Sequence, residues 1–375
     1  MKKILIFIFC FSTASNIFCQ GKKNLPKSGY KWSFEVNGFA SKILKHTKRF
    51  QPEIPALTYG FELNASYKTF GNKNWHRAFN YPEIGVSYIQ THFGNEATLG
   101  SAYGFAPFVK YYITRSKVVD FHAKLAGGLA YLTQVYDPIK NPINNVIGSR
   151  LNTVVQFRIG VDFHLTKEVD LQFGATFMHY SNSSVQAPNL GINIPSGNLG
   201  VIYKPKYFER EYIVEQDKTI FQKKNEYTFK FGLGVNQKFA RGANYPAYSF
   251  ALQYGRYFGY ANKLLAGAIV SFEQYEYDFL VNRQIDEDKD QTFRAMDWSA
   301  YLGYEMMLGR VGLSFIVGAY IHNPTLGNAP IWAKPGITYY FPGFGKQKHK
   351  PFLGINMKTH YFTAQYVEMN FGIAF

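Results

Sequence analysis

The chain is poor in cysteine, since Cys10 and Cys19 are its two cysteines and both lie near the start. Eight apolar residues occupy positions 4–11, after two lysines, and small and polar residues follow, which is the pattern of a secretory signal peptide. We predict that residues 1–19 are this signal and that cleavage follows Cys19. The alternative, a lipoprotein with an acylated Cys19, is disfavoured by the bulky Phe18. The exported chain then has no cysteine and uses no disulfides.

The rest of the sequence contains no run of about 18 or more apolar residues, so no membrane-spanning helix is available. It is instead rich in aromatic residues, which make up 18% of the chain with 29 Tyr and 35 Phe. The mean hydropathy is only -0.20. This combination is typical of a transmembrane β-barrel, because lipid-facing apolar residues alternate with polar residues that face the lumen.

Acidic residues are also few, with 25 Asp and Glu against 41 Lys and Arg, and the formal net charge is +16. The charge falls by two when Lys2 and Lys3 leave with the signal. Nucleic acid is not an expected partner, because the chain is exported and carries no recognised nucleic-acid motif. Phosphorylated glycolipid of the cell surface is the more natural anionic partner. A solvated basic rim on the periplasmic side is the alternative explanation.

Alternation of apolar and polar residues predicts an all-β chain with about sixteen antiparallel strands, in a range of about 8 to 16, as in bacterial single-chain barrels. The predicted strands cover residues 28–41, 55–68, 78–91, 98–113, 117–134, 151–165, 168–181, 197–206, 226–239, 245–258, 261–278, 293–308, 309–323, 331–341, 349–360 and 364–375. We assign residues 28–206 to one barrel half and residues 207–375 to further barrel strands. Whether the second half completes one large barrel stays open.

The lengths of the connections indicate an orientation, since such barrels have short periplasmic turns and longer outer loops. Short links follow even-numbered strands and long links follow odd-numbered ones, so a periplasmic N-terminus places residues 182–196 on the outer side. The long link 207–225 breaks this rule. The last strand is apolar at alternate positions and ends in Phe375. It resembles the signal by which the barrel assembly machinery receives outer-membrane proteins.

Residues 169–181 contain the candidate catalytic pair of the sequence, a histidine and a serine. Their period of two puts His179 and Ser181 on the same, apolar face of one strand, about 6.5–7 Å apart. A serine hydroxyl whose proton is taken by a histidine can cleave an ester. A His-x-Ser pair is by itself weak evidence of a catalytic site. The sequence contains neither a Gly-x-Ser-x-Gly motif nor a His-Glu-x-x-His motif that would mark a competing site.

His-Tyr-Ser-Asn at 179–182, followed by Pro-Asn-Leu-Gly-Ile-Asn at 188–193, resembles the active-site signature of the lipid A 3-O-deacylase (PagL) family. These are acyloxyacyl-hydrolase-like outer-membrane barrels that hydrolyse an acyl ester of lipopolysaccharide. The resemblance covers residues 28–206. It implies that His179 is the general base and Ser181 the nucleophile. It also implies that Asn182 and Asn189 shape the site and help to stabilise the oxyanion. Gly191 falls at the family's glycine, which lets the backbone pass close to the site.

The chain departs from the family pattern at Asn193, where the family has an acidic residue. An asparagine oxygen can still accept a hydrogen bond from the imidazole N–H and fix its tautomer, as in Cys-His-Asn sites. We therefore take Asn193 as the third member. Glu209 and Glu211 are the alternatives, although their predicted periplasmic position makes them poor candidates.

Two other patterns have structural explanations. Residues 286–290 alternate acids as a calcium loop does, but Gln291 replaces the required glycine, so we expect a solvated loop. His360, near Glu368, is expected to pack in the lumen.

The sequence predicts a serine esterase of the bacterial outer membrane that acts on the acyl chains of lipid A among outer-membrane lipid, with no metal and no organic cofactor. The alternatives are a non-catalytic porin-like or structural barrel and an outer-membrane phospholipase.

Overall fold

A computed structural model gives the structure of the chain. It describes residues 29–205, 211–213, 225–259, 261–285, 289–323, 330–345, 349–361 and 363–375. The predicted signal peptide lies outside these residues. The described chain divides into two compact units: the first contains residues up to 182 and from 189 to 213, and the second contains residues 183–188 and everything from 225 onwards.

The first unit is a closed antiparallel barrel of eight strands. The strands are β1 (Trp32–Ser41), β2 (Thr58–Lys68), β3 (Glu83–His92), β4 (Ser101–Arg115), β5 (Val119–Leu132), β6 (Leu151–His164), β7 (Val169–Ser181) and β8 (Ile192–Tyr203), with a short helix α1 (Asn74–Ala78) between β2 and β3. Each strand pairs with the next, and β8 closes the barrel on β1, from Phe34 opposite Tyr203 to Ser41 opposite Ser196. No strand edge of this barrel is left unpaired.

The second unit is another closed antiparallel barrel of eight strands. It consists of β9 (Asn225–Gln237), β10 (Asn244–Phe258), β11 (Asn262–Glu273), β12 (Met296–Leu308), β13 (Val311–His322), β14 (Ile331–Tyr340), β15 (Lys350–His360) and β16 (Thr363–Ala374), with helices α2 (Gln274–Asn282) and α3 (Gln291–Arg294) between β11 and β12. The barrel closes where β16 pairs with β9.

The predicted all-β class, the antiparallel barrel and the sixteen strands are confirmed. The structure also answers the question that the sequence left open, because the sixteen strands close as two barrels of eight. The edge of β8 is taken by β1, so it cannot receive β9. The long link 207–225, which broke the predicted alternation of short and long connections, lies between the last strand of the first barrel and the first strand of the second.

The strand faces are inverted relative to those of a water-soluble protein. On β1, Phe34 and Val36 are 48% and 60% exposed, whereas Glu35 and Asn37, which alternate with them, are buried. Apolar residues therefore point away from the barrel and polar residues point into it, as in outer-membrane barrels. Among the described residues, no helix is both long enough and apolar enough to cross a bilayer.

Ion pairs fill the lumen of the first barrel. The carboxylate of Glu62 accepts hydrogen bonds from Arg158 at 2.5 Å, from Gln156 at 2.7 Å, and from Lys124. Arg158 also donates to Glu35 at 2.8 Å. A barrel of eight strands is just wide enough to be filled by side chains, and inward charges are stable there because each has a partner. The second barrel has a comparable set, in which Lys263 lies 2.6 Å from both Glu226 and Glu305 and Lys334 lies 2.9 Å from Glu368.

Replacing Arg158 with methionine tests this network. The change leaves Glu35 without its cation and Glu62 with Lys124 alone, so we expect a loss of stability of about 3 kcal/mol. Unfolding in urea after reconstitution into detergent measures the loss. Lys117→Met, at an exposed turn between β4 and β5, is the matched control and should unfold like the native protein. A native-like transition for Arg158→Met would show that the ion pairs do not stabilise the barrel.

Candidate active site

Strand β7 presents His179 and Ser181 on the outward face of the first barrel. Phe177, on the same face, is 41% exposed, whereas Met178 and Tyr180 point inward and belong to the buried core. The pleat of a strand sends alternate side chains to opposite faces, so the three odd-numbered residues emerge together. His179 and Ser181 therefore lie on the surface that carries the exposed aromatic residues.

Three side chains form a continuous hydrogen-bonded series on this surface. The Ser181 Oγ lies 2.9 Å from the His179 Nε2, and the His179 Nδ1 lies 2.6 Å from the Asn193 Oδ1. The register explains the arrangement, because His179 on β7 is paired with Asn193 on β8 and Ser181 follows two residues later. Ser181 is only 5% exposed, so its hydroxyl is sheltered although its strand faces outward.

The series has the form of an activated nucleophile. When the Nδ1 of His179 carries the proton, it donates to the Asn193 amide oxygen, and the Nε2 lone pair is left to accept the hydroxyl proton of Ser181. A nucleophile, a base and a group that orients the base are then in hydrogen-bond contact, which is the arrangement of serine esterases. Asn193 thus occupies the place that the sequence analysis assigned to the third member.

Gly191 brings the backbone against the imidazole. Its φ is +76°, a left-handed conformation that favours glycine. A Cβ at this position would lie 2.7 Å from the Cε1 of His179, closer than van der Waals contact allows. The Gly191 N–H donates to the Val146 carbonyl at 3.0 Å, so the loop between β5 and β6 holds this backbone in place. The glycine therefore leaves room for the histidine ring.

Asn182 and Asn189 close the turn between β7 and β8. The Asn182 backbone N–H donates to the Asn189 Oδ1 at 3.0 Å, and the Asn182 Nδ2 donates to the Ser149 Oγ at 2.9 Å. The Thr153 hydroxyl on β6 donates to the carbonyl of Ser181 at 2.8 Å. The structure thus brings all six residues singled out in the sequence into one site in the first unit.

Sequence reasoning missed the residues of neighbouring loops that support the site. The Leu44 N–H donates to the carbonyl of Asn193 at 2.9 Å, and the His46 Nε2 lies 3.1 Å from the carbonyl of Leu190. These contacts, like those of Val146, join segments far apart in the chain. No local pattern in the sequence marks them.

The other sequence candidates lie apart from this site. Glu209 lies outside the described residues, and Glu211 is two residues from Ile213, whose N–H bonds to Phe70 beyond the opposite end of β2. His360 lies 2.8 Å from the Tyr320 hydroxyl in the second unit.

In the acidic stretch, residues 286–288 are not described, and Asp290 caps α3 by accepting from Thr292 and Phe293. Within the described ranges, no group of three or more His, Cys, Asp and Glu residues is placed to hold a metal ion.

Two family models match the chain. The model described as lipid A 3-O-deacylase (PagL) matches residues 59–201, and the model described as the acyloxyacyl hydrolase C-terminal domain matches residues 225–375. The first match contains the whole candidate site and most of the first barrel, and the second contains all of the second barrel. A comparison with curated proteins found no match.

Solved structures with similarity to this chain were also found. Neisserial surface protein A is 14% identical, with a TM-score of 0.31, over 46% of this chain and 96% of its own. The outer membrane enzyme PagL is 16% identical, with a TM-score of 0.31, over 44% of this chain and 97% of its own. The N-terminal β-barrel domain of Pseudomonas aeruginosa OprF is 10% identical, with a TM-score of 0.28, over 47% of this chain and 100% of its own.

Because the two family models together span most of the sequence, and the first includes the His-Tyr-Ser-Asn stretch, the protein belongs to the lipid A 3-O-deacylase (PagL) family of the bacterial outer membrane.

Proposed function

We propose that the protein is a serine esterase that removes an ester-linked acyl chain from lipid A. The observation that carries the proposal is the hydrogen-bonded series of Ser181, His179 and Asn193 on the outward face of β7 and β8. Phe177 and Pro195, paired across the two strands and both exposed, flank this series on the same face. An acyl chain lying along that apolar face has its ester within reach of Ser181.

The first half of the reaction forms an acyl-enzyme. The Ser181 Oγ attacks the ester carbonyl carbon while its proton passes to the Nε2 of His179. The tetrahedral intermediate then collapses, the bond to the sugar oxygen breaks, and His179 returns the proton to the leaving alkoxide. Asn193 accepts from the Nδ1–H throughout and keeps the ring in the orientation that faces the serine.

The second half releases the fatty acid. Water takes the place of the sugar alcohol, His179 removes its proton, and the resulting hydroxide attacks the acyl carbonyl. Collapse of this intermediate transfers the proton from His179 to the Ser181 oxygen and frees the carboxylic acid.

The oxyanion of both intermediates needs a hydrogen-bond donor. The amide Nδ2 of Asn189 is the candidate that we favour, because no hydrogen bond from it is found within the described part of the chain. Asn182 has its backbone N–H and its Nδ2 engaged with Asn189 and Ser149. We therefore assign Asn182 to shaping the turn and Asn189 to the oxyanion.

The alternatives are less well supported. A pore through the first barrel is disfavoured by the buried ion pairs of Glu62, Arg158 and Lys124, which occupy its lumen. A phospholipase would use the same serine chemistry on a glycerophospholipid, and assays on both lipids separate it from a lipid A deacylase. The aromatic C-terminal strand β16 supports a further proposal, that the barrel assembly machinery receives this chain.

Ser181→Ala and His179→Ala should each lower the rate about a thousandfold or more, because the nucleophile and the base act as one unit. Mass spectrometry of purified lipid A incubated with each protein in detergent measures the lost acyl chain. Heat-modifiable migration on gels serves as the control that both variants are folded barrels. Near-native hydrolysis by either folded variant would refute the assignment.

Two substitutions of Asn193 separate its role in orienting the His179 ring from the effect of a negative charge beside that ring. Asn193→Asp keeps the shape and adds a charge that favours imidazolium, so it should retain or raise the rate. Asn193→Ala removes the acceptor of the Nδ1–H, and we expect a loss of about tenfold to a hundredfold. Initial rates of fatty-acid release measure both effects. If Asn193→Ala is as fast as the native protein, Asn193 is not the third member.

Gly191→Ala should lower activity strongly, since the new methyl group would collide with the His179 ring and the backbone is left-handed there. Gly197→Ala, six residues later in β8, is the matched control, because its Cβ would meet no atom within 4 Å. The ratio of the two initial rates, measured on proteins of equal heat-modifiability, is the readout. Equal activity of the two variants would show that Gly191 is not needed to make room for the base.

A further inference from the structure

A basic segment follows β1 at the end of the barrel that carries the candidate site. It consists of residues 42–50, with the sequence Lys-Ile-Leu-Lys-His-Thr-Lys-Arg-Phe, and it contains no acidic residue. Four cationic side chains are exposed, namely those of Lys42, Lys45, Lys48 and Arg49. The apolar residues near its two ends, Ile43 and Phe50, are only 3% and 2% exposed.

The basic segment is held firmly in place. Ile43 and Phe50 pack in the same buried cluster as Met178, Tyr180 and Ile192, which belong to the two strands of the site. The Asn145 side chain also bridges from the loop between β5 and β6, donating to the Arg49 carbonyl at 2.6 Å and accepting from a neighbouring backbone N–H at 3.1 Å. The charges are therefore carried on an ordered backbone.

The segment also touches the backbone that carries the third member of the site. The Leu44 N–H donates to the carbonyl of Asn193, and the His46 Nε2 is in hydrogen-bond contact with the carbonyl of Leu190. Just before the segment, the Ser41 hydroxyl donates to the carbonyl of Pro195. β8 lies between β1 and β7, so the segment begins two strand spacings, about 10 Å, from the strand of Ser181.

The exposed cations of the basic segment differ from those of the barrel lumen in their partners. In the lumen, Lys110, Lys124 and Arg158 each lie within an ion pair with a buried carboxylate. By contrast, none of the four exposed cations of the segment forms an ion pair with a residue that the structure describes. Four like charges on one short loop repel each other unless an anion is bound there.

We propose that the basic segment binds the phosphate groups of the glycolipid substrate and so places its acyl ester at Ser181. This inference rests on the proposed esterase function. Ammonium and guanidinium groups are the usual protein partners of phosphate, and both are present here. The phosphorylated headgroup lies over the segment, while the acyl chain follows the outward face past Phe177 and Pro195. The charge thereby selects phosphorylated glycolipid over neutral lipid.

The double variant Lys45→Gln/Lys48→Gln tests the inference, with Lys31→Gln/Lys117→Gln as the matched control. The control removes the same charge from exposed positions at the opposite end of the first barrel. Each protein is assayed in detergent on lipid A that keeps its phosphates and on lipid A treated with phosphatase. We expect the test variant to raise KM about threefold to tenfold on phosphorylated lipid A, with kcat unchanged. On dephosphorylated lipid A, all three proteins should have the same KM.

Salt and free phosphate complete the experiment. Added salt should weaken the preference of the native protein for phosphorylated lipid A, because exposed charges are screened. Inorganic phosphate should raise the KM of the native protein for phosphorylated lipid A more than chloride does at equal ionic strength, because it competes for the same cations. An equal phosphate-specific rise with Lys45→Gln/Lys48→Gln would place the effect outside the segment and overturn the inference.

Equal KM values for native and test proteins on phosphorylated lipid A would overturn the inference, while hydrolysis by both would still support the esterase function. If the native protein hydrolyses neither lipid, the esterase proposal fails. In that case, co-sedimentation with micelles of phosphorylated lipid A tests the inference, because it measures binding without hydrolysis. Weaker binding by Lys45→Gln/Lys48→Gln than by the control variant supports it, and equal binding overturns it.

Discussion

The structure of the first unit depends on the closure of eight strands around a narrow lumen into which polar and charged side chains point. Closure pairs β8 with β1 and leaves no strand edge open, which a membrane requires of a β-structure. Inward side chains must then share a narrow space, and Glu62 with Arg158 shows how charges are accommodated there. Because the lumen is occupied, a lipid can meet reactive groups only on the outward face or at the barrel end. That is where His179 and Ser181 lie.

The site itself is a product of strand register. His179 meets Asn193 because β7 and β8 pair with these two residues opposite each other, and a slip of one residue would send Asn193 to the lumen face. The loops then hold this register from both sides. The loop between β5 and β6 fixes Gly191 through Val146, and the basic segment fixes Asn193 through Leu44. The geometry of the candidate site thus depends on these two loops as well as on the two strands.

The second unit repeats the same physical solution with different side chains. Its lumen is lined by its own ion pairs, such as Lys334 with Glu368, and its strands close from β9 to β16. None of the six predicted site residues lies in it. The family model that matches it is described as the acyloxyacyl hydrolase C-terminal domain. The two barrels therefore have separate cores, each stabilised by its own closure.

Strand number, strand faces and the position of the candidate residues His179 and Ser181 on one strand face were determined by the sequence alone. These depend on alternation over neighbouring residues, so the pattern from Val169 to Ser181 is enough to place His179 and Ser181 on one outward face. Tertiary structure decided the closure into two barrels, because the choice of partner for the edge of β8 involves β1, more than a hundred residues earlier in the chain. It also supplied the contacts of the Asn193 oxygen with the imidazole and of Gly191 with the ring, which the family resemblance led us to expect, and it alone placed the basic segment beside the site. Those contacts arise from pairing and packing between distant segments, which alternation along a single strand does not encode.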